Sequence, residues 1–231
     1  MKIQAIRHKK RNLIISLVCL LIFIVVGTMV HLNSAILISA DNFFSTSFQN
    51  SFGYPMMNYK GNLLNDLMTF LATFGNPFYL IVLTIIISTL LFAIDRKFFA
   101  LWFIGVVSTG GIVSVIMKLI FHRGRPLGHL PNDSGFSFPS GHSTESTLVF
   151  LIILIVLIPL LKKKSIKYIA FISVVIIWVG ILFSRLYFNA HHFSDIVGGI
   201  SFGAFWVFSA MAVYDIILNW FKKTKSDNSV C

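Results

Sequence analysis

The sequence predicts an all-α integral membrane protein with six transmembrane helices. The chain of 231 residues is 56% hydrophobic and 12% charged, with a mean hydropathy of +0.84. Its apolar residues fall in long blocks, and its basic residues cluster at the ends of these blocks. A helix needs about 20 residues to cross the hydrocarbon core of a bilayer. Six blocks have roughly this length: 13–30, 77–94, 98–120, 143–161, 166–187 and 196–221.

The first block follows a basic N-terminal tail, residues 1–12. A basic start before an apolar run is also typical of a secretory signal peptide, and Ile38-Ser39-Ala40 weakly resembles a cleavage site. The run is long for a signal peptide, however, and five further blocks follow. We therefore interpret it as an anchor helix of one six-helix membrane domain that spans residues 1–231.

Residues 31–76 connect the first two blocks and are predicted to lie outside the cytoplasm. Apolar residues recur at helical spacing from Leu63 to Leu71. This pattern favours either an amphipathic helix on the outer leaflet or the start of the second span.

The distribution of charge predicts the orientation of the other spans. The formal net charge is +11, and all but five of the 19 Lys and Arg residues lie in clusters on one side of an even number of spans. The positive-inside bias places these clusters, both termini and the tail 222–231 in the cytoplasm. The charge therefore indicates topology, and no nucleic-acid partner is expected. The five remaining cations are predicted to lie outside: Lys60, Lys118, Arg123, Arg125 and Arg185.

The two cysteines do not predict a disulfide. Cys19 lies inside an apolar block and Cys231 is the last residue, so the two are not expected to meet. No feature of the sequence indicates an obligate protein partner.

Three polar islands at outside ends of the blocks are suited to binding a phosphate group. A phosphate monoester carries up to two negative charges, so its chemistry needs fixed cations and N–H donors. Lys118, Arg125 and Arg185 would provide the cations. Ser140 and Gly141 open the fourth block, where the free N–H groups of a helix N-terminus would face the anion.

Two histidines in these islands could supply chemistry. His191 and Asp195 are four residues apart, so at the start of a helix they would share a face. The carboxylate could then hold one ring proton of His191 while the other ring nitrogen attacks phosphorus, forming phosphohistidine. His142 follows the anion-binding turn and could protonate the leaving alkoxide and then deprotonate a water molecule.

A metal site is the competing interpretation of the same residues, with His122, His129, His142, His191 and Asp195 as ligands. The first three histidines lack compact ligand spacing, and the neighbouring cations would repel a divalent ion. We therefore predict a site without a metal or other cofactor.

Three segments resemble, in order and internal spacing, the three-part signature of the type 2 phosphatidic acid phosphatase family. That family is related to vanadium haloperoxidases and includes bacterial lipid phosphatases that act on phosphatidylglycerophosphate, phosphatidate and undecaprenyl diphosphate. The matching segments are Lys118-x6-Arg125-Pro126, Pro139-Ser140-Gly141-His142 and Ser184-Arg185-x5-His191-x3-Asp195.

The resemblance covers roughly residues 63–214, with the motifs at 118–195, and implies a six-helix membrane core with its active site at the extracytoplasmic face. It implies that His191 is the nucleophile, Asp195 its partner and His142 the general acid and base. The phosphate ligands it implies are Lys118, Arg125, Ser140, Gly141 and Arg185.

The sequence thus predicts a metal-independent lipid phosphate phosphatase, a multi-pass protein of a bacterial plasma membrane whose substrate is a lipid monophosphate or diphosphate. Two alternatives stay open: a protein that binds or flips phosphate lipids, and a phosphotransferase with an acceptor other than water. Each of the residues beside the motifs has two possible roles. Arg123, Ser184 and Tyr187 either orient the site or pack, Glu145 either tunes His142 or contacts a cation, and His192 is interfacial or supports the site.

Overall fold

The computed structural model describes residues 8–131 and 133–227, with side chains left undescribed at 219 and 221–227. Cys231 and the basic side chains predicted for the two cytoplasmic tails at Lys2, Arg7, Lys222, Lys223 and Lys225 lie outside the described part of the chain.

Every regular element within these ranges is helical. A π-helical turn, Ile153–Leu157, and a 3-10 turn, Ile158–Leu160, extend the sixth α-helix. The α-helices are α1 (Lys9–His31), α2 (Ala35–Phe52), α3 (Leu63–Phe74), α4 (Pro77–Ala93), α5 (Lys97–Phe121), α6 (Gly141–Ile152), α7 (Lys164–Tyr187) and α8 (Phe193–Asp227).

Five of these helices are long and apolar enough to cross a membrane: α1, α5, α6 with its extension, α7 and α8. The predicted all-α membrane class is therefore confirmed. The second predicted span has a different form, because α4 has only 17 residues, about 26 Å of helix. It follows α3 at a bend of 62°, and the two helices together make the sixth candidate span.

The bend between α3 and α4 has a local cause. Gly75 ends α3, and the Asn76 side chain accepts a hydrogen bond of 3.0 Å from the N–H of Phe78. Pro77 occupies the first turn of α4, where its missing N–H costs nothing. Neither alternative drawn from the sequence was complete, because the segment 63–71 belongs to a separate helix that leads into the second span at an angle.

Helix α2 was not predicted. Its buried residues are Leu37 and Asp41, which is too sparse a set to produce a clear helical period in the sequence. The helix is held instead by tertiary ring contacts. Phe44 stacks on Phe193 with ring centroids 4.0 Å apart, and Phe48 lies 5.1 Å from Phe183.

Helices α1 and α8 run antiparallel along each other. The hydroxyl of Ser16 lies 2.6 Å from that of Ser209, and the ring of Phe23 lies 5.3 Å from that of Phe202. Residues later in α1 therefore contact residues earlier in α8. The start of α1 and the late part of α8 lie at one end of the bundle, and the start of α8 lies at the other.

Helix α6 is the buried centre of the bundle and packs closely on α8. A Cβ atom added to Gly203 would lie 2.9 Å from Cβ of Thr147 and 3.0 Å from the carbonyl oxygen of Thr144. The predicted fourth span, 143–161, corresponds to the candidate span Gly141–Leu160, whose α-helical bonding ends at Ile152. Pro159 has no N–H to donate to the preceding turn.

Replacing Gly203 tests this close approach. We expect Gly203→Ala to lower the free energy of unfolding by about 1–3 kcal/mol, because the added methyl group overpacks the α6–α8 contact. The matched control is Gly105→Ala in α5, where the added Cβ would have no described atom within 4 Å beyond the local backbone of its own helix. That change should be neutral or stabilise by up to about 1 kcal/mol. Thermal unfolding in detergent measures both, and equal midpoints for the two variants would contradict the packing.

Candidate active site

The three predicted polar islands meet at one end of the bundle. The Ser140 N–H donates a hydrogen bond of 3.0 Å to the carbonyl oxygen of Asp195, which ties the start of α6 to α8. Arg125 Nη1 donates one of 2.7 Å to the carbonyl oxygen of Ala190, beside His191. Residues far apart in the sequence are thus held around a common centre by backbone contacts.

His191 and Asp195 lie together, but not as two residues of one helical face. Helix α8 begins at Phe193, so His191 precedes it, and the predicted placement of both residues on the helix was wrong in this respect. Asp195 reaches back to accept a hydrogen bond of 2.9 Å from the N–H of His192. This contact of a carboxylate with the N–H three residues earlier is one half of a capping box, which closes the first turn of a helix. The same carboxylate then lies 3.4 Å from Nδ1 of His191, longer than a usual N–H···O bond.

The environment of His191 keeps its ring neutral. Burial lowers the pKa of His191 to about 3, although the nearby Asp195 carboxylate acts in the opposite direction. Nδ1 makes no hydrogen bond among the described residues, but the group nearest to it is the Asp195 carboxylate, which can only accept. The ring proton is therefore assigned to Nδ1, and Nε2 keeps a free electron pair. At neutral pH the ring is therefore an uncharged potential nucleophile.

Arg123 connects two buried carboxylates behind this histidine. Its Nη1 donates a hydrogen bond of 2.6 Å to Asp195, and its Nη2 donates one of 2.6 Å to Asp41 in α2. Asp41 also accepts hydrogen bonds from the N–H and the hydroxyl of Ser194, at 2.9 and 2.7 Å. Arg123 therefore orients a site residue rather than merely packing.

Sequence reasoning missed Asp41. It is one of only eight acidic residues in the chain. It occurs in a stretch predicted to lie outside the cytoplasm, on the same side of the membrane as the five outside cations. Because acidic residues are so few, this one could have been predicted to pair with a cation on the same side. The partner could not be identified, because Arg123 is 82 residues away in the chain.

The three predicted phosphate-binding cations all contact one stretch of the loop before α6, which we call the 133–137 segment. Lys118 Nζ donates to the carbonyl oxygens of Phe136 and Ser137, at 2.9 and 3.4 Å. The guanidinium of Arg125 donates to the carbonyl oxygens at positions 134 and 135, at 2.9 and 3.2 Å. Arg185 Nη2 lies 3.6 Å from Asp133. The structure thus brings the three cations together at one segment, and groups of the protein are their partners there.

The start of α6 lies next to one of these cations. The Ser140 side chain caps the helix, since its hydroxyl accepts a long hydrogen bond of 3.4 Å from the N–H of Ser143. A Cβ added to Gly141 would lie 3.8 Å from Cε of Lys118. The positive end of the helix dipole and the ammonium group thus adjoin.

His142 lines a cavity of about 300 Å³ together with Arg185 and Asp133. Its Nε2 lies 3.1 Å from the carbonyl oxygen of Ala72 in α3. Because a carbonyl only accepts, Nε2 is the donor, and Nδ1 is the ring nitrogen left free to exchange a proton. Asn76 and Tyr79, at the bend between α3 and α4, form another wall of the cavity.

The other histidines considered as metal ligands lie apart from this centre. His122 packs against the ring of Phe136 with centroids 4.4 Å apart, and His129 Nδ1 lies 2.9 Å from the carbonyl oxygen of Leu130. Across the described ranges, no group of three or more His, Cys, Asp or Glu side chains could hold a metal ion. Glu145 is buried against Gly111, and its Oε2 has no hydrogen-bond partner among the described residues.

Comparison with known proteins identifies a matched region that includes Lys118, His142 and His191. The profile of the PAP2 superfamily matches residues 99–218. Phosphatidylglycerophosphatase B of Bacillus subtilis (strain 168) is 29% identical over 144 residues, which cover 61% of this chain and 70% of that protein. The fold resembles the crystal structure of the first transmembrane PAP2 type phosphatidylglycerolphosphate phosphatase from Bacillus subtilis. That likeness has a TM-score of 0.71 and 25% sequence identity, and it covers 87% of this chain and 96% of the other.

Removing Arg123 should destabilise the fold strongly. Arg123→Met would leave Asp41 and Asp195 buried without their common partner, and breaking a buried pair in this way costs about 3–5 kcal/mol. The control is Lys97→Met, which removes a cation from an exposed pair with Asp95 and should leave stability almost unchanged. Thermal unfolding of both variants in the same detergent measures the difference. A similar small effect in both would show that Arg123 does not compensate the two carboxylates.

Proposed function

Because this chain belongs to the PAP2 superfamily, we propose that it releases inorganic phosphate from phosphatidylglycerophosphate, with His191 as the nucleophile. The chain is a phosphoric ester hydrolase that acts on lipid phosphates. The observation that carries the proposed mechanism is the position of a neutral, buried His191 beside Asp195 and next to three converging cations. The names of both relatives favour this substrate.

In the first step, Nε2 of His191 attacks phosphorus and the bond between phosphorus and the lipid oxygen breaks. His142, which faces the same cavity as Arg185, enters this step protonated on both ring nitrogens, and the departing alkoxide takes its Nδ1 proton. The product is phosphohistidine, whose ring proton at Nδ1 stays directed at Asp195. The negative carboxylate thereby stabilises the positive charge that the ring gains during attack.

In the second step, a water molecule attacks the phosphohistidine. His142, now neutral, accepts the proton of this water, and the bond between phosphorus and Nε2 breaks. Inorganic phosphate leaves, and His191 returns to its neutral form. One histidine thus serves as acid and then as base, and the residues in this scheme require no cofactor.

Phosphate oxygens would be bound by Lys118, Arg125 and Arg185 and by the N-terminus of α6 at Ser140 and Gly141. Arginine can bind two oxygens with its planar fork, whereas lysine acts as a point charge. Charge that spreads over the equatorial oxygens in the transition state strengthens all of these contacts.

The proposed orientation places both termini in the cytoplasm and the active site at the extracytoplasmic face. Two observations support it: the basic clusters of the sequence, and the antiparallel contact of α1 with α8, which puts the start of α1 far from His191.

Replacing the proposed nucleophile tests the mechanism. His191→Ala should reduce phosphate release by at least about 10³-fold, because the covalent route is lost. The wild type, quenched during turnover with a labelled terminal phosphate, should carry acid-labile, base-stable label on His191. The control is His31→Ala, a change at an exposed residue in the last turn of α1. A wild-type protein that binds phosphate lipids without releasing phosphate would instead support a binding or flipping protein.

The choice of substrate needs a direct comparison. Phosphatidylglycerophosphate, phosphatidate and undecaprenyl diphosphate share the reacting group, so a panel of the three in mixed micelles separates them by kcat/KM. We expect the highest value for phosphatidylglycerophosphate. A higher value for undecaprenyl diphosphate or phosphatidate would overturn the proposed substrate while leaving the enzyme class intact. Phosphate found on an added alcohol rather than in solution would identify a phosphotransferase.

A further inference from the structure

The phosphate site contains one carboxylate that the proposed mechanism does not use. We propose that Asp133 competes with phosphate for Arg185 and Arg125, and that its return to these arginines expels inorganic phosphate after hydrolysis. The proposal rests on the proposed function, because it takes these arginines as the phosphate ligands.

Asp133 is held only weakly by the two arginines that it would share with phosphate. Its Oδ1 lies 3.6 Å from Nη2 of Arg185, and its Oδ2 lies 4.0 Å from Nη1 of Arg125. Both distances exceed hydrogen-bonding range, and Oδ2 is buried without a hydrogen-bond partner among the described residues. The carboxylate therefore interacts with the two arginines by charge attraction, without a hydrogen bond to either of them.

The hydrogen-bond donors of Arg185 are likewise not all paired. Its side chain is 3% exposed, and its Nε has no hydrogen-bond partner in the described part of the chain. A buried guanidinium without its hydrogen bonds is costly. A phosphate group offers more oxygens and a larger charge than Asp133, so phosphate can displace the carboxylate and satisfy these donors.

The ion pairs of Arg123 provide the contrast. Arg123 reaches Asp41 and Asp195 at 2.6 Å with direct hydrogen bonds, which is the geometry of a permanent structural pair. The Asp133 side chain is 21% exposed, against 2% for Asp41 and 0% for Asp195. Asp133 can therefore leave its partners for solvent at much lower cost.

Asp133 also occupies the correct place for such competition. It lines the same cavity of about 300 Å³ as His142 and Arg185. It belongs to the 133–137 segment, whose carbonyl oxygens contact Lys118 and Arg125. This one segment therefore contacts all three cations that are proposed to bind phosphate.

Competition would act differently on substrate and product. The lipid substrate is retained by its acyl chains in the bilayer, so it tolerates a weaker headgroup site. Inorganic phosphate has only the cations to hold it. When a binding site is free for only a fraction of the time, the apparent affinity of its ligand falls by that fraction. Inorganic phosphate, which has no second point of attachment, is therefore released more readily than the lipid substrate.

The test measures the affinity for inorganic phosphate in a background that cannot turn over. In purified His191→Ala protein, the added change Asp133→Asn removes the competing charge with little change in size. We expect the dissociation constant for inorganic phosphate at pH 8, measured by calorimetry, to fall by about 10-fold or more. Asp133→Glu retains the charge and should keep the affinity weak. The matched control is Asp95→Asn, which removes an exposed charge at the start of α5 and should change nothing.

The sign of the effect decides the proposal. If Asp133 merely positioned Arg185 for phosphate, Asp133→Asn would weaken binding, and an unchanged or larger dissociation constant overturns the competition. Should Asp133→Asn fail to accumulate, Asp133→Ala carries the same expectation. Because the readout is binding, it is independent of whether the wild type hydrolyses phosphatidylglycerophosphate. With hydrolysis established, Asp133→Asn in the wild-type background should also lower the inhibition constant of inorganic phosphate by a similar factor.

Discussion

The bridge from Arg123 to Asp41 and Asp195 is the interaction on which the rest of the site depends. Uncompensated charges are costly in a protein surrounded by lipid, so each must have a partner. Arg123 compensates two carboxylates at once, at 2.6 Å each. It thereby joins α2, the end of α5 and the start of α8. Asp195 is fixed as a result, and Asp195 in turn positions the backbone of His192 and the ring of His191.

A second consequence of the same constraint is that protein groups contact the three cations proposed to bind phosphate. Lys118, Arg125 and Arg185 cannot stay unpaired at the ends of apolar helices, and an anion that comes and goes cannot be their permanent partner. Carbonyl oxygens and one carboxylate of the 133–137 segment fill this role. These partners are weaker than a phosphate group, so the three cations are compensated and remain available for the proposed binding of a lipid phosphate.

The membrane class and the matching motif positions could be predicted from the sequence, because hydrophobic blocks and local spacing are properties of contiguous residues. The structure departs from these predictions where a distant partner decides. Helix α2 depends on ring contacts such as Phe44 with Phe193, and the pairing of Arg123 with Asp41 crosses 82 positions. The position of His191 before α8, rather than on it, follows from a cap that Asp195 forms with His192. Periodicity registers none of these contacts.

The sharing of Asp195 explains how a buried histidine next to a carboxylate stays neutral. A carboxylate devoted to one imidazole would favour the imidazolium form and remove the electron pair that is proposed to attack phosphorus. Here Asp195 is already engaged by Arg123 and by the N–H of His192, and it approaches His191 only to 3.4 Å. Burial therefore dominates, and the pKa of His191 lies near 3. The proposed nucleophile is oriented by Asp195 without being protonated by it, and the carboxylate remains close enough to stabilise the ring once attack makes it positive.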